Sequence, residues 1–156
     1  MLQACLRKTA PTESEEQQAL IKWADLQPYG GTHVGDFLFS IPNGAATQGR
    51  LNADGRRFSS AATRLKREGL RPGVPDLMLA IPRGAFHGLF IEMKRIRRAK
   101  SMVRPGQKEW IERLNSQGYK AVICYGMEEA VDTIKDYLGI PKDGDNESIR
   151  TCAYLT

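Results

Sequence analysis

The sequence predicts an α/β fold with a mixed sheet, in the order α-β-α-β-β-α-β-α. Three observations carry that prediction. Apolar residues recur at helical spacing in several stretches, short runs of strand-forming residues alternate with them, and two neighbouring runs are joined by a glycine-bearing connection.

Glu13 to Leu26 carries Ala19, Leu20, Trp23 and Ala24 at helical spacing, with Thr12 or Ser14 as N-cap and Pro28 as the stop. Phe37 to Ile41 reads as a short strand closed by the turn signal Pro42-Asn43-Gly44. Ala45 to Gly55 is a polar loop, and a second helix covers Ser59 to Glu68 before Gly69. Asp76 to Ile81 and Leu89 to Lys94 are strands, and Gly84 and Gly88 between them favour an antiparallel hairpin. Pro105 suits the first turn of a third helix, Gly106 to Gln117, closed by Gly118. On it, Trp110, Ile111 and Leu114 read as core rather than as a base-stacking platform. Ala121 to Tyr125 is an apolar strand, and Glu128 to Leu138 is a last helix with Ala130, Val131, Ile134 and Leu138 inward. Residues 1–12 read as an N-terminal extension, 13–139 as the domain and 140–156 as a polar tail.

The 156 residues are 41% hydrophobic and 26% charged, the profile of one soluble globular domain. A chain of this size buries roughly two thirds of its unfolded surface and needs neither disulfide nor metal to fold. Cys5, Cys124 and Cys152 lack ligand spacing and read as reduced, structural thiols. No apolar run approaches the roughly 18 residues of a membrane span, and the N-terminus lacks the run of a signal peptide, so a cytoplasmic protein without membrane contact is expected. The phosphate loop, the G-x-G-x-x-G turn and the G-x-S-x-G elbow are all missing, so no nucleotide cofactor is expected. His33 and His87 fall in loops and read as surface residues.

The net charge of +5 is unevenly spread. Lys94, Arg95, Arg97, Arg98, Lys100, Arg104 and Lys108 follow one another without an acid, and Arg50 to Arg71 is mostly basic. Such clusters suit a phosphate backbone, and equally a solvated face. Glu13, Glu15 and Glu16 cluster with the opposite sign.

Chemistry concentrates on the hairpin. Asp76 opens one strand and Glu92 lies near the end of the other, so antiparallel pairing brings two carboxylates together. Glu92 and Lys94, two apart, share a face, while Ile91 and Met93 take the other. Two carboxylates can hold Mg²⁺ at about 2.0 to 2.1 Å with water completing the octahedron. A lysine beside them can orient a water, take its proton or offset phosphate charge. The competing reading makes Asp76 a turn cap and Glu92 and Lys94 a surface ion pair. It must explain why both charges interrupt the apolar run GLFIEMK, where burial costs free energy unless the charges are used.

At these residues a resemblance emerges. Gly73-Val74-Pro75-Asp76, then Glu92-Met93-Lys94, then Gln107 opening the next helix resemble the PD-(D/E)XK nuclease superfamily. More closely they resemble its virus-type replication-repair nuclease (VRR-NUC) family, especially short stand-alone phage and bacterial members. The similarity runs from about Glu13 to Leu138 and takes in Pro42-Asn43-Gly44, Arg64-Leu65-Lys66 to Gly69, the Q-K-E-W-I-E-R-L helix and Gly118-Tyr119. It implies a single nuclease domain whose mixed central sheet is flanked by helices. It further implies Asp76 and Glu92 as ligands of Mg²⁺ or Mn²⁺, the Met93 carbonyl as a further ligand, and Lys94 as the catalytic lysine. Gln107 would position the lysine or a phosphate, and a glutamate of the first helix would complete the acidic set. Glu16 suits that last role best, with Glu13 on nearly the same face. A favourable charge near a helix N-terminus is the alternative for either.

The expected activity is metal-dependent DNA endonuclease cleavage in replication, repair or recombination, selective for Holliday junctions or flaps. A homodimer is expected, with the cytoplasm as the location, that of the bacterial host if the protein is phage-encoded. Arg95, Arg97, Arg98, Lys100, Arg104 and Lys108, with Lys94, Asn43 and Arg64, would contact DNA. Alternatives are an inactive DNA-binding module of the same fold and a nuclease acting on RNA. The sequence departs from the commoner family pattern in the longer polar loop from Ala45 to Gly55, so Arg50, Arg56 and Arg57 are assigned to DNA contact alone.

Overall fold

A computed structural model describes residues 10–42, 50–51, 57–58, 60–96 and 102–142. The elements follow in the order α1 (Glu13–Leu26), β1 (Pro28–Tyr29), β2 (Thr32–His33), a 3-10 turn (Val34–Asp36), β3 (Leu38–Ser40), β4 (Arg50–Leu51) and β5 (Arg57–Phe58). Then come α2 (Ser60–Arg67), β6 (Leu77–Leu79), β7 (Leu89–Lys94), α3 (Pro105–Ser116), β8 (Lys120–Tyr125) and α4 (Met127–Leu138). The chain is a mixed α/β protein, as its sequence predicts. By contact it divides into two compact units, one drawn from 1–36, 93–102 and 123–156, the other from 37–92 and 103–122.

In the first unit, α1 opens with a capping box. The Thr12 hydroxyl accepts the Glu15 N–H at 3.2 Å, and the Glu15 carboxylate accepts the Thr12 N–H at 2.7 Å. Of the two caps expected, Thr12 serves. The helix buries Leu20 and Ala24, packs against α4 and the 3-10 turn, and ends at Gln27, before Pro28. The strands β1 and β2 form a tiny antiparallel ribbon whose two turn residues, Gly30 and Gly31, have φ of 55° and 86°. A two-residue turn with both φ positive matches the strand twist, and glycine enters it without steric cost. The helix α4 buries Ala130, Ile134, Tyr137 and Leu138 and stops at Gly139 in the left-handed region.

The second unit holds most of a four-stranded sheet of order β3-β6-β7-β8. β3 pairs antiparallel with β6, with Leu38 opposite Leu79 and Ser40 opposite Leu77, and the Ile41 N–H continues the ladder to the Asp76 carbonyl at 2.7 Å. The expected β6–β7 hairpin is present, pairing Leu77 with Ile91, Met78 with Phe90 and Leu79 with Leu89. β7 and β8 run parallel: the Lys120 N–H donates to the Gly88 carbonyl and the Gly126 N–H to the Lys94 carbonyl, advancing together along both strands. The sheet is therefore mixed. Leu77, Leu79, Leu89 and Ile91 share one face and are fully buried.

Two features differ from expectation. Trp110, Ile111 and Leu114 are half-buried and α3 buries no residue fully. The indole N–H requires an acceptor, which it finds in the Pro72 carbonyl at 3.2 Å, and the Arg113 guanidinium lies 5.7 Å from the ring centroid. The stretch expected as a polar loop contributes β4, which pairs antiparallel with β5; 52–56 and the Pro-Asn-Gly residues 43–44 lie outside the described residues.

Candidate active site

The β6–β7 hairpin brings the chain positions of the two carboxylates near one another. Asp76 and Glu92 each stand one residue beyond the Leu77–Ile91 pair. Directly opposed residues of an antiparallel pair project from the same face. Leu77 and Ile91 fill the apolar core on one face, so Glu92, the next residue of β7, takes the other; β6 begins at Leu77, so Asp76, expected to open the strand, stands at the bend just before it. Glu92 is 1% exposed and Asp76 is half-buried.

A close approach fixes the chain before Asp76. Gly73 has φ of 86°, and a Cβ there would stand 2.9 Å from the Gly106 carbonyl oxygen. Only glycine satisfies both demands. The Gly73-Val74-Pro75-Asp76 segment thereby lies against the first turn of α3, which also carries Gln107.

The Gln107 side chain serves both its own helix and Glu92. Its Oε1 accepts the Arg104 N–H at 2.9 Å, the reciprocal half of a capping box at the N-terminus of α3. Its Nε2 donates to Glu92 Oε1. The amide is thereby oriented at both ends: oxygen to the helix, nitrogen to the buried carboxylate. Gln107 meets Glu92.

In the other unit, Lys94 closes β7 at 5% exposure. Two residues on from Glu92 in one strand, it projects from the same face. Its Nζ lies 3.7 Å from Glu13 Oε2, an ion-pair distance beyond hydrogen-bond range. Glu16, 9% exposed, accepts the Met127 N–H at 2.8 Å and so caps α4, whose own N-cap residue Gly126 has no side chain to do it. Glu15 completes the α1 capping box, and the Thr12 N–H holds its carboxyl below the usual value, with the Arg95 charge adding to the effect. The three first-turn acids thus have three different partners.

Among the basic residues expected at DNA, Arg95, Arg104 and Lys108 are exposed. Arg64 is exposed and pairs at 3.3 Å with Glu68, four residues on and just past the end of α2, a contact worth at most about 1 kcal/mol. Asn43, Arg97, Arg98 and Lys100 lie outside the described residues. Within the basic stretch from Arg50 to Arg71, α2 also exposes Lys66 and Arg67, and the Glu13–Lys94 pair has no local pattern that signals it.

Strand register, buried Glu92 and Lys94, and a glutamine on Glu92 are the setting in which the comparisons with known proteins take their meaning. The VRR-NUC domain profile matches residues 11–128. The chain belongs to the VRR-NUC family. A solved structure of a "VRR_NUC domain protein" has a TM-score of 0.68 and 32% identity to this chain, covering 87% of this chain and 96% of that one. No curated protein matches the chain. Membership of the VRR-NUC family implies a nuclease that acts on DNA.

The donor set suits a small hard cation. Among the described residues no group of three or more His, Cys, Asp or Glu side chains forms a ready metal cage. Mg²⁺ does not require one, since it is commonly held by one or two carboxylates while retaining several waters. Two carboxylates at the end of one hairpin, with Glu92 fully buried, are oxygen donors of the kind that Mg²⁺ and Mn²⁺ prefer.

Proposed function

We propose that this VRR-NUC protein is a divalent-metal-dependent DNA endonuclease, with Asp76, Glu92 and the Met93 carbonyl holding Mg²⁺ or Mn²⁺ and Lys94 as the catalytic lysine. The observation that supports the reading is the β6–β7 hairpin: Asp76 and Glu92 each stand one residue beyond the Leu77–Ile91 pair, and Glu92 and Lys94 alternate with Ile91 and Met93 along β7. Burial adds weight. An isolated charge in a protein interior costs several kcal/mol unless it is compensated, and both Glu92 and Lys94 are buried within an apolar strand.

When bound, the ion supplies Lewis acidity toward a phosphate oxygen and an attacking water. The protein's own groups do the rest. Gln107 holds Glu92 in one orientation, as partners of metal ligands commonly do. Lys94 offers an ammonium that can orient the attacking water and offset charge on the phosphodiester. Arg95, Arg104 and Lys108 supply exposed positive charge for the backbone. The helix glutamate expected from the resemblance is Glu16 or Glu13, whose present partners are the Met127 N–H and Lys94. Preference for branched DNA, a role in repair or recombination, a homodimer and a cytoplasmic location rest on the resemblance to stand-alone members. A two-fold dimer would present symmetry-related sites to two strands of a junction. Among the described residues no helix is long and apolar enough to cross a membrane.

The test compares wild type with Lys94→Ala on labelled linear duplex, flap, four-way junction and single-stranded DNA, and on RNA, with Mg²⁺, Mn²⁺ or EDTA. Cleavage of DNA that needs the metal and is lost in Lys94→Ala is expected. Cutting that persists in EDTA or in the variant overturns the mechanism, and salt-dependent binding without cutting in either metal would make the protein a binding module.

A further inference from the structure

We infer that Glu13 is a positioning residue for Lys94, holding its ammonium toward the first turn of α1; the inference rests on the nuclease reading and assigns a residue to the same site. The division of labour among the first-turn acids leads to it. Glu15 is committed to the Thr12 N–H, and Glu16 is committed to the Met127 N–H at the start of α4. Glu13 Oε2 is 3.7 Å from Lys94 Nζ.

The lysine side chain is 6% exposed, whereas that of Glu13 is 45% exposed. A flexible four-carbon stem ending in a buried point charge is oriented by the charges around it. At 3.7 Å the carboxylate acts through charge rather than through a hydrogen bond. It therefore limits where the ammonium sits. The neighbouring Arg95 charge also acts on Glu15, adding to the effect of the Thr12 N–H. Glu13 acts on the reaction through Lys94.

The same residue has a simpler use, because an acid at the first position of a helix is favourable to the helix dipole whatever it faces. Aspartate separates the two. At that position Glu13→Asp keeps the charge on the helix but withdraws the carboxylate from Lys94 by one methylene.

The experiment measures cleavage kinetics and Lys94 side-chain order in the full chain for wild type, Glu13→Gln and Glu13→Asp. Order is read as the ¹³Cε relaxation order parameter, with the Lys94 signal identified by its loss in Lys94→Arg. Both Glu13 variants are expected to lower kcat about tenfold, the scale of a small misplacement in a site, with KM moved less than twofold. Lys94 order should fall in both, and the melting temperature of Glu13→Asp should stay at the wild-type value. Glu13→Asp matching wild type in kcat and in Lys94 order overturns the inference and leaves Glu13 as a helix-terminal charge. Should wild type fail to cut, or Lys94→Ala cut like wild type, the nuclease reading fails. The relaxation measurement still decides whether Glu13 orders Lys94.

Discussion

Gln107 offers the sharpest separation of a structural role from a site role, because its two ends do different work. In Gln107→Ala both bonds go. Losing the acceptor of the Arg104 N–H removes a helix-cap interaction worth about 0.5–2 kcal/mol. Losing the donor to Glu92 removes a hydrogen bond to a charged group worth about 1.5–3 kcal/mol, beside a carboxylate only 1% exposed. The variant should therefore be destabilised by about 2–5 kcal/mol, a large part of the roughly 5–15 kcal/mol that holds a domain together. Gln107→Glu divides the terms. Glutamate serves the capping box as well as glutamine does, so the helix keeps its cap. The donor to Glu92 is nevertheless replaced by a second carboxylate. At neutral pH Gln107→Glu should thus be at least as unstable as Gln107→Ala, although only one of the two roles has been removed. Urea titrations of the three proteins, with equal slopes, measure this directly. Metal affinity or activity should fall about 10–100-fold in both, as expected for a partner of a metal ligand. If Gln107→Glu matches wild type in stability and activity, the Gln107–Glu92 bond contributes nothing and the account of this residue is wrong.

Glu16→Ala should cost about 1–2 kcal/mol in urea, through loss of the cap on α4, whereas Glu16→Gln, which keeps an acceptor for the Met127 N–H, should recover most of it. Gly73→Ala must place a Cβ 2.9 Å from the Gly106 carbonyl at φ of 86°, so a loss of about 2–4 kcal/mol and a fall in activity are expected; an unchanged melting curve would refute the close approach. The Thr32 hydroxyl and the His33 N–H hold the Asp36 carboxyl below its usual value. The native state therefore binds that proton more weakly than the unfolded chain, and the associated stability is present above the ordinary carboxylate range and lost as pH falls through the depressed value. Thr32→Val should flatten that acid limb in pH-dependent urea titrations and leave the stability slope near neutral pH unchanged.

Helices and strands were legible wherever one residue's environment follows from its neighbours along the chain. The alternation in Leu89 to Lys94 and the caps around Glu13 to Leu26 are local signals, and β7 and α1 have the boundaries that the sequence predicts. The hairpin is legible for the same reason, and with it the pairing of Leu77 with Ile91, one residue from Asp76 and Glu92. The ribbon of β1 and β2 was passed over because two-residue strands carry no periodicity. Its only signal was Gly30-Gly31 between Tyr29 and Thr32. The partners of the first-turn acids were not legible at all. Nothing near Glu16 in sequence points to Met127, and nothing near Glu13 points to Lys94, since both contacts exist only after α1, α4 and the end of β7 have come together.

That limit bears on how the acidic cluster of α1 is understood. Helical spacing ranks Glu16 above Glu13 because Ala19, Leu20 and Trp23 follow it, and the ranking correctly anticipates burial, with Glu16 at 9% exposure. Burial beside a core stripe can serve either a cation or a backbone N–H that lacks a partner, and the stripe cannot tell them apart. The Met127 N–H supplies a sufficient reason for a carboxylate at Glu16. A role in holding metal would have to be met by the same group, either through its second oxygen or by exchange with the helix cap. Glu16→Gln distinguishes these requirements, because an amide keeps the cap but is a poorer ligand for a hard cation. If that variant retains both stability and metal-dependent cleavage, capping α4 accounts for Glu16. If it retains stability and loses cleavage, the glutamate serves the helix and the site together.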